Sequence, residues 1–312
     1  MTIAQSPHSE PNPPRAERVD LAGRYGPVAA LRASSTSPLC TALLVPGYTG
    51  CKEDFVPLLA ELAGSGIDVV AIDLPGQYES PGPAREDAYL PAALGTVIAE
   101  LVEKLAAGDR KVVLLGHSFG GLVARGAVLA GAAVAGLTLL DSGPSALPEG
   151  PRSAALVTGQ PLLRERGIAA AWELRSAVAE QSPGWRSKPQ QVKDFERTVF
   201  LSSTPAGLLG MGAALLTEPD LVDELAAKLR EDSVPCAVLC GADDDAWSPT
   251  AQREMAARLG ATFHTVPAAR HSPNVENPAG LLDVLIPTWR EWAWGLGVLK
   301  TPEPLVPPEE PQ

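Results

Sequence analysis

KVVLLGHSFGGLVARGAVLAG, residues 111–131, decides how this chain is read. Its first six residues form an apolar, β-branched run that suits a strand buried on both faces. From Phe119 onward the apolar residues recur at helical spacing, with glycines where the two elements must approach. Between them stands Gly116-His117-Ser118-Phe119-Gly120, a G-x-S-x-G pattern on a strand-to-helix turn. A serine there is pushed out of the backbone in a strained conformation, and only glycine leaves room for strand and helix to cross beside it. The helix N-terminus also aims backbone N–H groups at any negative charge that develops nearby. The plainer alternative is a Gly-rich turn with a capping serine, because the pattern alone is weak and its context carries the weight.

Outward from this stretch, short apolar runs alternate with helical patterns. CTALLVP (40–46), IDVVAID (67–73), AGLTLLD (135–141), VPCAVLCG (234–241) and ATFHTV (261–266) read as strands, with helices predicted between them and a Trp-rich helix over 281–296. The helix after the fifth strand has Ser248 as N-cap, Pro249 at its first position and Gly260 after its last turn. Continuous apolar strands separated by helices predict an α/β fold: a mostly parallel sheet with helices on both faces. Residues 145–232 break the alternation with helical patterns alone, so they read as a helical insertion between two strands of one sheet. The expected organisation is a disordered tail over 1–20, a core from 21–144 and 233–300, the insertion, and a Pro-rich tail over 301–312.

The chain has 312 residues with 25 basic and 37 acidic side chains, a formal charge of −12. That balance lacks the basic footprint that supplies affinity for phosphate backbones, so nucleic acid and anionic membrane surfaces are not expected partners. The four cysteines, Cys40, Cys51, Cys236 and Cys240, form no CxxC pair and predict neither a disulfide framework nor a metal site. The first residues carry no apolar signal segment, and Gly121–Leu140 reads as buried helix, break and strand rather than a membrane span. A cytoplasmic location is the resulting expectation.

A reactive serine needs a base, and the chain has four histidines. His8 lies in the tail, His117 inside the turn itself and His264 within a predicted strand. His271 follows the last strand in a loop, where a catalytic base belongs. An orienting carboxylate is offered by Asp243, Asp244 and Asp245 after the fifth strand, with Asp244 favoured and Asp245 next. Bunched acids there also suit a solvated turn, and Asp141, after the fourth strand, is a distinct alternative.

The order Ser118, Asp244, His271 and the stretches LLVPGYTG, DLPGQYESPG, LGHSFGGLVAR, LLDSGP, GADDDAWSP and RHSPNVENP resemble the α/β-hydrolase superfamily, specifically serine hydrolases with a helical cap. The resemblance covers residues 25–294. It implies an α/β-hydrolase fold, a Ser118–His271–Asp244 triad, and an oxyanion hole from the N–H groups of Tyr48 and Phe119. It also implies that residues 145–232 form a cap over the site. Three positions depart from the superfamily's usual pattern: Pro46 stands where His is common, Gln77-Tyr78 where His-Gly is common, and Ser248 where Pro is frequent. None removes a triad member.

The implied activity is cleavage of an ester, thioester or lactone of a small apolar substrate through an acyl-enzyme, with no metal and no cofactor. Acyl transfer, C–C bond hydrolysis, or ligand binding without turnover are the alternatives the same fold allows. The apolar, Gly-rich segment GLLGMGAALL (207–216) suggests a hydrophobic pocket, so Gly47, His117 and Met211 are the expected ligand contacts. Trp289, Trp292 and Trp294 are read as helix packing against the sheet.

Overall fold

The computed structural model describes residues 16–181 and 183–295. Most of the two expected tails lies outside these residues. The N-terminal tail is shorter than expected, because strand β1 (Glu17–Gly23) already begins within it. β1 forms a hairpin with β2 (Gly26–Ala33), and neither strand is evident in the sequence. β1 is a half-exposed edge strand that alternates charged and apolar residues, a weak signal beside the buried runs.

The chain continues as β3 (Cys40–Val45), α1 (Val56–Gly64), β4 (Ile67–Ile72), α2 (Pro91–Leu105), β5 (Val112–His117), α3 (Phe119–Leu129) and β6 (Gly136–Leu140). Then come α4 (Pro151–Ala179), α5 (Pro183–Ser187), α6 (Gln190–Ser202), α7 (Pro205–Thr217) and α8 (Val222–Glu231). β7 (Cys236–Gly241), α9 (Pro249–Leu259), β8 (Thr262–Val266), α10 (Pro273–Glu276) and α11 (Pro278–Trp294) close the described fold. All strands form one sheet in the order β1-β2-β4-β3-β5-β6-β7-β8. The pairs from β4 across to β8 are parallel, while β2 lies antiparallel to both β1 and β4.

Strands β3, β5, β6 and β7 are buried at every residue, as expected for a sheet covered on both faces. On one face α2, α3, α8 and α9 pack side chains such as Ile98, Val123, Leu225 and Met255. On the other, α1 and α11 pack Leu58, Leu62, Leu281 and Trp289. The Trp289 indole donates to Thr138 Oγ1 at 2.9 Å. Gly136 leaves room for Trp292, whose ring would stand 2.0 Å from any Cβ there. Trp294, by contrast, is 55% exposed, so the packing role belongs to two of the three tryptophans.

Helices α4 to α7 form a cap with its own small core of Leu163, Trp172, Trp185, Phe200, Leu208 and Leu209. Gly167 breaks α4 at φ 82°, where its chain turns between two helical segments. Arg125 on α3 fastens the cap to the sheet layers: it is buried and pairs with Glu218 at 2.6 Å while donating to the Pro144 carbonyl. Tyr89 does the same nearby, through its hydroxyl contact of 3.0 Å with Thr204 Oγ1. No single helix among the described residues is long and apolar enough to cross a membrane.

Candidate active site

The C-terminal ends of β3, β5, β6, β7 and β8 converge on one point, and each carries a residue singled out by sequence. Ser118 leaves β5 at φ 54°, ψ −121°, in the positive-φ region that L-residues rarely adopt. The turn survives because its flanks have no side chains. A Cβ on Gly116 would lie 2.1 Å from the Gly120 carbonyl oxygen, and one on Gly120 would lie 2.4 Å from the Val45 oxygen. Thr49, Tyr78, Asp141 and Ala268 also hold positive φ, and Thr49, Tyr78 and Asp141 each follow a neighbouring strand, so backbone strain is concentrated at this end of the sheet.

His271 lies between the serine and a carboxylate. Its Nε2 is 2.9 Å from Ser118 Oγ and its Nδ1 is 2.8 Å from Asp244 Oδ1. An ionised carboxylate only accepts, so Nδ1 carries the proton and Nε2 presents its lone pair to the serine hydroxyl. The structure thereby separates the four acids left open by sequence. Asp244 is buried: Oδ1 also accepts the Ala246 N–H at 2.8 Å, and Oδ2 accepts Gln252 Nε2 at 2.7 Å. Asp245 turns outward to Arg152 and Arg270 at 2.7 and 3.0 Å. Asp243 is exposed. Asp141 is fully buried behind Asp244, where Oδ1 accepts the Gly241 N–H at 2.9 Å and Oδ2 has no partner among the described residues. Burial and the neighbouring Asp244 charge push the Asp141 carboxyl well above the usual carboxylate range.

The loop after β3 brings Gly47 and Tyr48 to the serine. A Cβ on Gly47 would sit 3.0 Å from Ser118 Cβ. Neither the Tyr48 nor the Phe119 backbone N–H has an acceptor among the described residues, and both belong to residues that flank or adjoin the serine turn. Gln77, which sequence marks only as a departure, holds this loop in place. It is 1% exposed, donates from Nε2 to the Gly47 carbonyl at 2.8 Å, and accepts the Leu74 N–H.

Two expected ligand contacts are placed differently. Met211 is 1% exposed, with Sδ 3.9 Å from Gln77 Nε2, and fills core space rather than an open wall. His117 Nε2 donates to the His271 carbonyl at 2.7 Å, which ties the elbow to the loop bearing His271. Burial, with a smaller contribution from His271, pulls the His117 pKa down to about 3, so its ring is neutral. Gln252 gave no sequence signal, since a lone glutamine carries no spacing, whereas Gln77 stood out only as a departure from the family pattern, with no role attached.

Among the described residues, two clusters bring together donor atoms of the kinds that ligate metal ions. Asp141, Asp244 and His271 are the groups just described. Cys51, Glu53 and Asp73 are the other, but Lys52 Nζ already bridges Glu53 and Asp73 at 2.9 and 3.0 Å and supplies the countercharge. Burial drives the Cys51 thiol far above its ordinary pKa, so it is held as the neutral, unreactive form.

The sequence pattern of the Alpha/beta hydrolase family matches residues 42–284. The chain belongs to this family. No curated protein matches it. Among solved structures, a thermophilic esterase from Thermogutta terrifontis is 25% identical, with TM-score 0.66, over 91% of this chain and 100% of that one. A carboxylesterase structure from the thaumarchaeon Nitrososphaera gargenis is 18% identical, with TM-score 0.68, over 89% and 100%. The N-acyl homoserine lactonase AidH, in complex with N-butanoyl homoserine, is 19% identical, with TM-score 0.67, over 88% and 97%. The more distant two support the fold of this α/β hydrolase, and all three cover nearly all of it.

Proposed function

We propose that this α/β hydrolase is a serine hydrolase that cleaves an ester, thioester or lactone of a small molecule through an acyl-enzyme. The observation that carries the reading is the unbroken chain from Ser118 Oγ to His271 to Asp244, with the serine held at positive φ beside two free N–H donors. In this mechanism His271 Nε2 takes the Ser118 proton as Oγ attacks the substrate carbonyl. Asp244 holds the Nδ1–H tautomer and offsets the imidazolium charge. The N–H groups of Tyr48 and Phe119 receive the oxyanion, each contributing about 2.7–4 kcal/mol of transition-state stabilisation. His271 then returns the proton to the leaving oxygen or sulfur. Water, deprotonated by the same imidazole, attacks the acyl-enzyme and releases the acid. The esterases and the lactonase that share the fold support this class of reaction.

A fluorophosphonate probe tests it. The wild-type protein should be labelled, and Ser118→Ala and His271→Ala should not. A folded wild-type protein that takes no label, and turns over none of a panel of simple esters, thioesters and lactones, removes the reading.

A further inference from the structure

His271 stands outside the sheet, on the loop between β8 and α10, yet its ring must meet two partners at once. One side chain holds the backbone on both sides of it. Glu276 Oε2 accepts the Arg270 N–H at 2.7 Å and the Ser272 N–H at 3.1 Å. Two nearby backbone N–H groups turned toward one point form a concave seat for an anion. Here the chain fills the seat with its own carboxylate, and hydrogen bonds to an ionised acceptor are the stronger kind. Glu276 is exposed and forms no ion pair among the described residues; Arg270 pairs with Asp245 at 3.0 Å instead.

The carbonyls of the same stretch are held from the other direction. The His271 carbonyl meets His117 Nε2 at 2.7 Å. The Arg270 carbonyl packs against Gly241, where a Cβ would stand 1.8 Å from its oxygen. Glu276 is itself anchored, because α10 is docked on the core. Asn274, fully buried on that helix, donates from Nδ2 to the Asp54 carbonyl at 2.8 Å. Asp54 belongs to the single-turn helix Lys52–Phe55, which follows the loop bearing Tyr48. Asn277 Nδ2 donates to the Pro267 carbonyl at 2.8 Å and closes the loop at its base.

We infer that Glu276 is a positioning residue for the base: by gripping the N–H groups of Arg270 and Ser272 it sets the His271 ring between Ser118 and Asp244. What the site requires of Glu276 is an acceptor oxygen at that reach, not a negative charge near the imidazole. The inference rests on the hydrolase reading for its effect on rate, and on backbone geometry alone for its effect on the ring.

Three substitutions separate the acceptor from the charge. Glu276→Gln keeps an acceptor oxygen at the same reach without the charge. Glu276→Asp keeps the charge but is one methylene short, and Glu276→Ala removes both. On a neutral ester, kcat of Glu276→Ala and Glu276→Asp should fall by about 10- to 100-fold with KM little changed, the scale of a misplacement of about 1 Å, while Glu276→Gln stays within about threefold of wild type. Circular dichroism establishes folding, and the Asp and Gln variants decide the matter if the Ala variant does not fold. Proton NMR reads the geometry without turnover. The low-field resonance of the His271 Nδ1–H bonded to Asp244 should persist in Glu276→Gln and be lost to exchange in Glu276→Asp and Glu276→Ala. Wild-type activity in folded Glu276→Ala, or an active Asp variant beside an impaired Gln variant, overturns the assignment. If the wild type hydrolyses no ester and takes no fluorophosphonate, the hydrolase reading fails, and the NMR comparison alone still decides whether Glu276 holds the ring.

Discussion

Replacing Gln252 by Met removes the N–H that holds the back of Asp244, and a second that holds the Trp247 carbonyl, while keeping the length of the side chain. Gln252 is fully buried; its Nε2 donates to Asp244 Oδ2 at 2.7 Å and to the Trp247 carbonyl at 2.8 Å. A hydrogen bond to a charged group is worth about 1.5–3 kcal/mol, and each acceptor stranded without a partner costs about 1–3 kcal/mol. The stability loss is then about 2–6 kcal/mol, or a Tm lower by about 4–12 °C at roughly 2 °C per kcal/mol. The catalytic loss is narrower in origin. Asp244 keeps the Ala246 N–H and the His271 Nδ1–H on Oδ1, but nothing fixes the rotation of its carboxylate. The charge that must face the imidazolium is then less ordered, and kcat should fall by about 10- to 150-fold with KM little changed. The assay is steady-state hydrolysis of a neutral ester at 25 °C, with circular dichroism to establish folding. A folded Gln252→Met protein with kcat within twofold of wild type would refute the reasoning, since Asp244 would then need no support from behind.

Arg125→Met should destabilise by about 3–5 kcal/mol, because Glu218, only 10% exposed, is left as an uncompensated charge between α3 and the cap; thermal unfolding reads it directly. His117→Gln keeps an N–H donor for the His271 carbonyl but cannot titrate. With a folded pKa near 3 against about 6.5 unfolded, His117 makes the wild type lose stability as pH falls through that window, by at most about 1.4 kcal/mol per pH unit, and urea midpoints of the variant should lack this component. Asp141→Asn tests the opposite sign: a carboxyl whose pKa is raised on folding costs stability as pH rises above its unfolded value of about 3.9, so the variant should gain on wild type between pH 4 and pH 7. Curves that stay parallel from pH 3 to 7 would contradict both assignments.

The parallel sheet was legible because its inner strands are nearly continuous apolar runs, a pattern that needs no partner to be recognised. β1 and β2 were not: β1 alternates charged and apolar residues, β2 offers only a short Val28-Ala29-Ala30-Leu31 run, and the hairpin is recognisable only once β2 is paired with β4. The serine and histidine were legible from a turn motif and a loop position. The choice among Asp141, Asp243, Asp244 and Asp245 was not, because it depends on which carboxylate faces inward, and that follows from a left-handed residue at 141 and from where Ala246 and Gln252 place their N–H groups. Met211 misled for a related reason. An apolar helix in a cap can line a cavity or fill it, and composition does not distinguish the two.

The departures from the superfamily pattern make physical sense together. Pro46 has no N–H and no side-chain donor, so it cannot brace the loop that follows β3. Gln77, at the other departure, reaches across and donates to the carbonyl of Gly47, the residue after Pro46. Its own carbonyl oxygen is held by the Leu74 N–H, so the amide cannot flip without losing both bonds. Its Nε2 also rests against Met211 Sδ, which couples the loop to α7 of the cap. The support for Tyr48 therefore comes from the loop after β4 and from the cap. Any shift of α7 would reach the loop through Gln77 and Met211, and with it the N–H donor of Tyr48. Holding the cap down, as Arg125 and Tyr89 do from the sheet side, thus also holds the shape of the site at Ser118.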